Sequence, residues 1–381
     1  MRRFVLALFA SLLLAVSAAA CGGDDSGGDG GGDAAGGGAT DTGGAGEGGN
    51  EPIKVGFMYI GPPGDAGWTY SHDQGRQYLE ENVDGVETTF LDSVPEANSG
   101  PAIDQLASQG NKVIFATSFG YGDTVIQKAT QYPDVFFEHA TGFQRSDNVA
   151  TYFVQHWEPS FLLGVMAGHM TESNTLGYVG TFPIPEVIRD ANAFTLGARS
   201  VNPEAKVKIV FISTWFDPPK EKQAAKSLID AGADVLFGIS DSPSVLEEAA
   251  ANGAYAATWN SDMKRFGPEA YLSSVELDWG PYYEKRIEAV RDGNWESHDY
   301  WGTLADGDVK LSQFGDNVPE EVQAEVEEKL AGFKDGSFKP FMGPIRDQSG
   351  KVQVQEGQEI TFEQWVGMTW LVEGVEGKLP G

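Results

Sequence analysis

From Ile53 onward, short apolar runs alternate with longer segments whose apolar positions recur at helical spacing. The pattern predicts strands at Ile53–Ile60, Glu87–Leu91, Val113–Thr117, Val135–His139 and Ala150–Val154. Helices are expected between them, at Asp73–Asn82, Pro101–Gln109 and Thr124–Tyr132, and the apolar segment Pro159–Met170 reads as a further helix. The cycle then restarts. Strands are expected at Leu176–Thr181, Lys206–Ser213, Val235–Ile239, Tyr255–Trp259 and Tyr271–Val275, with helices at Pro185–Ser200, Pro219–Ala231, Val245–Asn252, Pro281–Asp292 and Glu320–Ala331. Runs such as Val113-Ile114-Phe115-Ala116 are apolar at every position, as strands must be when helices cover both faces of a parallel sheet. The fold class is therefore α/β. A helix end, a Gly stop and a buried strand recur about 120 residues apart, at Leu106–Ala116 and Leu228–Gly238. Two similar lobes with a cleft between them follow, and such clefts are common ligand sites.

Parallel sheets place ligands in loops that leave the carboxyl ends of strands. The first such loop, Gly61–Gly67, carries Asp65 and is followed by Trp68 and by Ser71-His72-Asp73-Gln74, an S-x-x-Q helix-capping pattern. A carboxylate and a large aromatic face suit a flat, hydrogen-bonding ligand; a turn with a solvated Asp and a core Trp is the plainer reading. The loop at Gly120-Tyr121-Gly122-Asp123 follows another buried strand, and Asp123 suits either the cleft or a helix cap. Trp215 also follows a strand end, whereas Arg189 reads as a helix-surface residue.

Charge and motifs narrow the function. The 381 residues hold 56 Asp+Glu against 26 Lys+Arg, a net charge of -30, which excludes a nucleic-acid partner because phosphate binding needs basic residues. Cys21 is the single cysteine, so there is no internal disulfide and no cysteine metal site. The five histidines are scattered without metal-ligand spacing, and no metal or cofactor is expected. No G-x-S-x-G elbow, phosphate loop or H-E-x-x-H motif occurs. Ser71-His72-Asp73 are triad residue types, but adjacency on a helix is not triad geometry.

The N-terminus reads as an export signal: Arg2-Arg3, an apolar run from Phe4 to Val16, then small residues before Cys21. This resembles a bacterial lipoprotein signal, with residues 1–20 removed and Cys21 lipidated; simple cleavage after Ala20 is the alternative. Residues 21–50 are nearly all small or polar and read as a tether with an r.m.s. reach of roughly 30 Å.

Several stretches together resemble one family. They are Ala150–Gly164, Leu176-Gly-Tyr-Val-Gly180 with Ile184-Pro-Glu-Val-Ile188, Trp215-Phe-Asp-Pro-Pro-Lys-Glu-Lys222 and Ala231-Gly-Ala-Asp-Val-Leu-Phe237. In order and spacing they are similar to the basic membrane lipoproteins, substrate-binding lipoproteins of ABC importers that bind purine nucleosides. The resemblance implies a two-lobed type I periplasmic-binding fold with three crossovers. Lobe one would comprise 53–156 plus 275–305, and lobe two 157–274 plus 306–381. It implies that Trp68 and Trp215 sandwich a purine, and that Asp65 and Asp123 accept hydrogen bonds from it, with Tyr121, Glu276 and Trp279 nearby. Asn260 and Asp262 would face the ligand or merely shape a turn. Asn260 stands where nucleoside binders carry an Asp for the ribose, and no lysine lies in Val275–Trp279. A free base such as adenine is therefore expected over a nucleoside. The expected protein is not an enzyme. It is a monomeric solute receptor, lipid-anchored on the outer face of the bacterial cytoplasmic membrane, serving an ABC permease and its ATPase. A sensor or adhesin of the same fold, and a nucleoside hydrolase, are the alternatives.

Overall fold

The computed structural model describes residues 51–380, so the signal segment, Cys21 and the tether lie outside the described residues. Among the described residues, two parallel sheets carry the architecture. The first has six strands, in the order Asp299–Gly302, Val149–Val154, Phe136–Ala140, Val113–Ala116, Ile53–Met58 and Val86–Leu91, all parallel. The second has seven, in the order Val309–Leu311, Tyr271–Leu277, Tyr255–Thr258, Val235–Gly238, Thr175–Gly180, Lys206–Phe211 and Val375–Glu376. Only the edge pair of Val309–Leu311 with Tyr271–Leu277 is antiparallel. The α/β class and the two-lobed type I arrangement are thus in place. All of Tyr271–Leu277 lies in the second sheet, so the chain returns to the first lobe after Leu277 rather than at 275.

Three passages join the lobes, after Val154, Leu277 and Gly302. The first and third are tied together, because Glu158 accepts the Leu304 N–H at 2.9 Å. In the second lobe, helices Trp157–Met170 and Pro185–Val201 approach until backbones touch. A Cβ at Gly164 would lie 2.1 Å from the Phe194 carbonyl oxygen, and one at Gly197 2.0 Å from that of Phe161. Only glycine permits this contact, which fixes the helix whose first turn lines the cleft.

The helix expected from Asp73 begins at Trp68. Ser71 does not cap it; the Ser71 hydroxyl donates back to the Trp68 carbonyl at 2.8 Å. Asp65 takes the capping role. Its Oδ1 accepts the N–H groups of Gly67 and Tyr70 at 2.7 and 2.9 Å, and its Oδ2 that of Thr69 at 3.1 Å. A full capping box forms in the tail instead, where Thr361 and Gln364 satisfy each other's backbone ahead of the short helix Phe362–Val366. The tail wraps the second lobe and ends as its edge strand, Val375–Glu376 beside Lys206–Phe211. No helix of the described residues is long and apolar enough to cross a membrane.

Candidate functional site

The strand ends of both sheets face one cleft, and one wall of it is rigid. Trp68 opens its helix with its indole N–H held on the Thr117 carbonyl at 2.6 Å. Behind it, His72 meets its edge at 4.3 Å and Trp279 at 5.8 Å, and Trp279 stacks on His72 at 4.7 Å. Trp279 also donates to Ser71 Oγ at 3.2 Å. Trp68 therefore presents one face and cannot swing.

The opposite wall is movable. Trp215 is half-buried and rests on Phe182 at 5.0 Å, with no side-chain hydrogen bond among the described residues. Between the two tryptophans the room is about 20 Å³, enough for one or two waters. A flat ring enters only if Trp215 swings or the lobes part. Trp259, Ile60 and Ile239 complete this gap.

Polar groups ring the gap with capacity to spare. Asp241 accepts from Asn260 Nδ2 at 2.9 Å and from the Trp68 N–H at 3.3 Å. Burial, with Asp65 and Glu221 nearby, pushes its carboxyl well up. Burial likewise raises Asp65 to about 6, against the backbone donors that favour its charged form. Asn260 Oδ1 and Thr141 Oγ1 are buried without a partner. Glu186, in the first turn of Pro185–Val201, is only 8% exposed and makes no hydrogen bond among the described residues. Its carboxyl is pushed up to about 7, because burial outweighs the pull of Arg189. Buried polar atoms without partners are costly and rare, and at this gap the Thr141 hydroxyl and the unbonded Glu186 carboxyl have capacity left for a ligand.

Of the residues singled out in the sequence, the fold brings Trp68 and Trp215 to the gap, with Asn260 bonded to the lining residue Asp241. Asp65 and Trp279 stand one layer behind, as cap and support. Tyr121 is buried with its hydroxyl on the Val94 carbonyl at 2.7 Å. Asp123 is exposed and accepts from Gln144 at 2.9 Å, leaving its helix without a side-chain cap. Asp262 is exposed and accepts the Lys264 N–H at 2.7 Å, a turn contact. Glu276 lies in the strand Tyr271–Leu277, away from the gap. Arg189 is not a surface residue. It is 3% exposed, and its guanidinium lies over the rings of Trp157, Trp301 and Trp365 at 5.3, 5.6 and 5.4 Å. Its Nη1 donates to the Trp365 carbonyl at 2.7 Å, while its Nε has no partner. Sequence reasoning missed Asp241 and Glu186. Both follow buried strands, at Val235–Gly238 and Thr175–Gly180, so the rule that selected Asp65 could have selected them.

The lobes touch across the cleft at Ala66–Trp68. Ser261 Oγ donates to the Ala66 carbonyl. A Cβ on Gly67 would lie 2.5 Å from both Cα and the carbonyl oxygen of Asp241. Gly67→Ala is therefore expected to wedge the lobes apart and weaken ligand binding roughly tenfold or more, since about 1.4 kcal/mol is tenfold. The melting temperature without ligand should stay within a few degrees of wild type. Calorimetric titration alongside thermal melting checks this, and unchanged affinity would show that the contact does not form in solution.

The family described as ABC transporter substrate-binding protein PnrA-like matches residues 53–336. A purine-binding protein of Brucella abortus is 45% identical over 332 residues, covering 87% of this chain and 95% of that one. A protein of Haloferax volcanii provisionally named an ABC transporter glucose-binding protein is 39% identical over 344 residues, 90% of this chain and 84% of that one. Among solved structures, a solute-binding protein of an Aeropyrum pernix ABC transporter system superposes with a TM-score of 0.67 at 19% identity, covering 76% of this chain and 93% of that one.

Proposed function

The chain belongs to the PnrA-like family of ABC transporter substrate-binding proteins, and from that premise we propose that it captures a purine-type solute, a free base such as adenine, between Trp68 and Trp215. The family acts outside the cytoplasm with a permease and its ATPase, and it binds solutes rather than transforming them. The hydrolase alternative falls with that. His72 is fully buried, does not line the gap and has its Nδ1 engaged by the Tyr283 hydroxyl.

The carrying observation is an indole fixed by a hydrogen bond facing one held by packing alone, across a gap bordered by the unpartnered Thr141 hydroxyl and the unbonded Glu186 carboxyl. Stacking on a base contributes about 1–3 kcal/mol. A purine edge offers both N–H donors and ring-nitrogen acceptors. Asn260 Oδ1 and ionised Glu186 accept the former, and a protonated Asp241 donates to the latter. The free base is favoured over a nucleoside because residue 260 is an amide that already gives one of its two N–H groups to Asp241, so it offers a sugar no carboxylate. A nucleoside is the second reading, favoured by the polar groove beyond Trp215, where Ser93, Glu96, Ser213 and Thr214 could meet a ribose. The relative from Brucella abortus supports the purine class.

We further propose a monomer anchored through lipidated Cys21; loss of membrane-fraction recovery in Cys21→Ser tests the anchor. For the ligand, the purified protein is denatured and its released solute identified by mass spectrometry. Tryptophan emission is then titrated with adenine, guanine, adenosine, inosine and glucose. Quenching by adenine at lower concentration than by adenosine is expected. Inosine or adenosine binding tenfold tighter than any base would leave the nucleoside reading standing, and glucose alone binding would overturn the purine class.

A further inference from the structure

Beside the tryptophan gap lies a chamber of about 310 Å³. It stays open while the gap is nearly shut, so its shape does not depend on Trp215. Phe119, Thr141 and Glu186 border both spaces, which therefore adjoin at these three side chains. The polar groups sit at this neck: Glu186 with no hydrogen bond among the described residues, and Thr141 Oγ1 buried without a partner. Beyond the neck the walls are carbon, from Phe153, Ile184, Pro185, Trp301 and Val366. The one charged side chain there, Arg189, is stacked on indoles and bonded through Nη1 to the Trp365 carbonyl, and its Nε is the one unpartnered buried donor of that wall. Phe143, 66% exposed, stands at the outer rim.

Resting on the purine reading above, we propose that the solute is an aminopurine whose exocyclic nitrogen carries an apolar arm. The ring lies in the tryptophan gap, the exocyclic N–H is read at the neck by Glu186 or Thr141, and the arm fills the chamber. An apolar arm gains by leaving water for such walls. A sugar does not, because each hydroxyl buried there without a partner is penalised. Part of the chamber is built by the tail, through Val366 and the Trp365 carbonyl that holds Arg189. Those residues lie past residue 336, where the family match ends. Selectivity for the arm would thus be set outside the region that defines the family.

The test is calorimetric titration of the full chain with adenine, adenosine and N6-benzyladenine as the arm-bearing probe, repeated on Val366→Trp, which fills the chamber. The expected result is N6-benzyladenine binding at least tenfold tighter than adenine, with that ratio collapsing toward one in Val366→Trp. N6-benzyladenine binding no tighter than adenine overturns the proposal and leaves the purine reading intact. So does adenosine binding tighter than both. If Val366→Trp weakens adenine as much as the arm-bearing probe, the chamber holds the ring itself and the proposal falls. If none of the three binds, the purine reading falls and takes the proposal with it.

Discussion

Glu186→Gln is expected to stabilise the unliganded protein at pH 8 by about 3 kcal/mol, since each unit of displacement is about 1.4 kcal/mol. The sign follows from where the proton sits. The Glu186 carboxyl titrates near 7 in the folded protein, raised first by burial, against 4.5 as its ordinary value. Between those pH values the folded state holds the proton and the unfolded chain has lost it. Stability therefore falls as pH rises through that window and levels off above it. Glutamine keeps the shape and never ionises, so the difference between variant and wild type should be near zero at pH 4 and full at pH 8. Denaturant midpoints at the two pH values measure it. Equal differences at both would mean that the carboxyl is solvated or paired. The same substitution should weaken ligand binding roughly tenfold or more, because hydrogen bonds to charged groups contribute about 1.5–3 kcal/mol. A gain in stability coupled to a loss of affinity is what a binding group held at a cost would show.

The two tryptophans should respond unequally in stability and alike in affinity. Trp68 is buried, bonded through its indole N–H and packed on His72, Phe153 and Trp279. Trp68→Ala is expected to cost about 3–5 kcal/mol of stability, as large core truncations do. Trp215 is half-buried, with Phe182 as its one aromatic neighbour among the described residues, so Trp215→Ala should cost about 1 kcal/mol, well below a core truncation. Each change should still reduce affinity by about 1–3 kcal/mol, the contribution of one stacking platform. Chemical denaturation with parallel ligand titration separates the two effects. If Trp215→Ala binds as wild type does, the ring does not lie in this gap.

Asp65 shows why a residue's place in the chain and its role part company. Its position after the first strand marks it for the cleft, and a carboxylate there could serve a ligand. Three backbone N–H groups at the start of the helix claim it instead. An unsatisfied helix end is a local demand, yet whether Asp65 or Ser71 meets it depends on where the helix begins. Trp68 begins that helix because its indole is fixed on Thr117, a residue 49 positions away.

The sequence by itself determined the alternation of strand and helix, the burial of runs such as Val113–Ala116, the repeat of the lobe and the family, because these depend on periodicity and local order. It also placed Trp68 and Trp215 at strand ends. The tertiary structure alone decided which polar side chains gather at the tryptophan gap, because Asp241, its partner Asn260 and Glu186 come together from segments far apart in the chain. It decided that Arg189, on a helix that looks amphipathic in isolation, is buried under indoles from the first lobe, the first passage and the tail. A helical face has no intrinsic outside; what is packed against it sets its burial, and here that is chain 32 to 176 residues away.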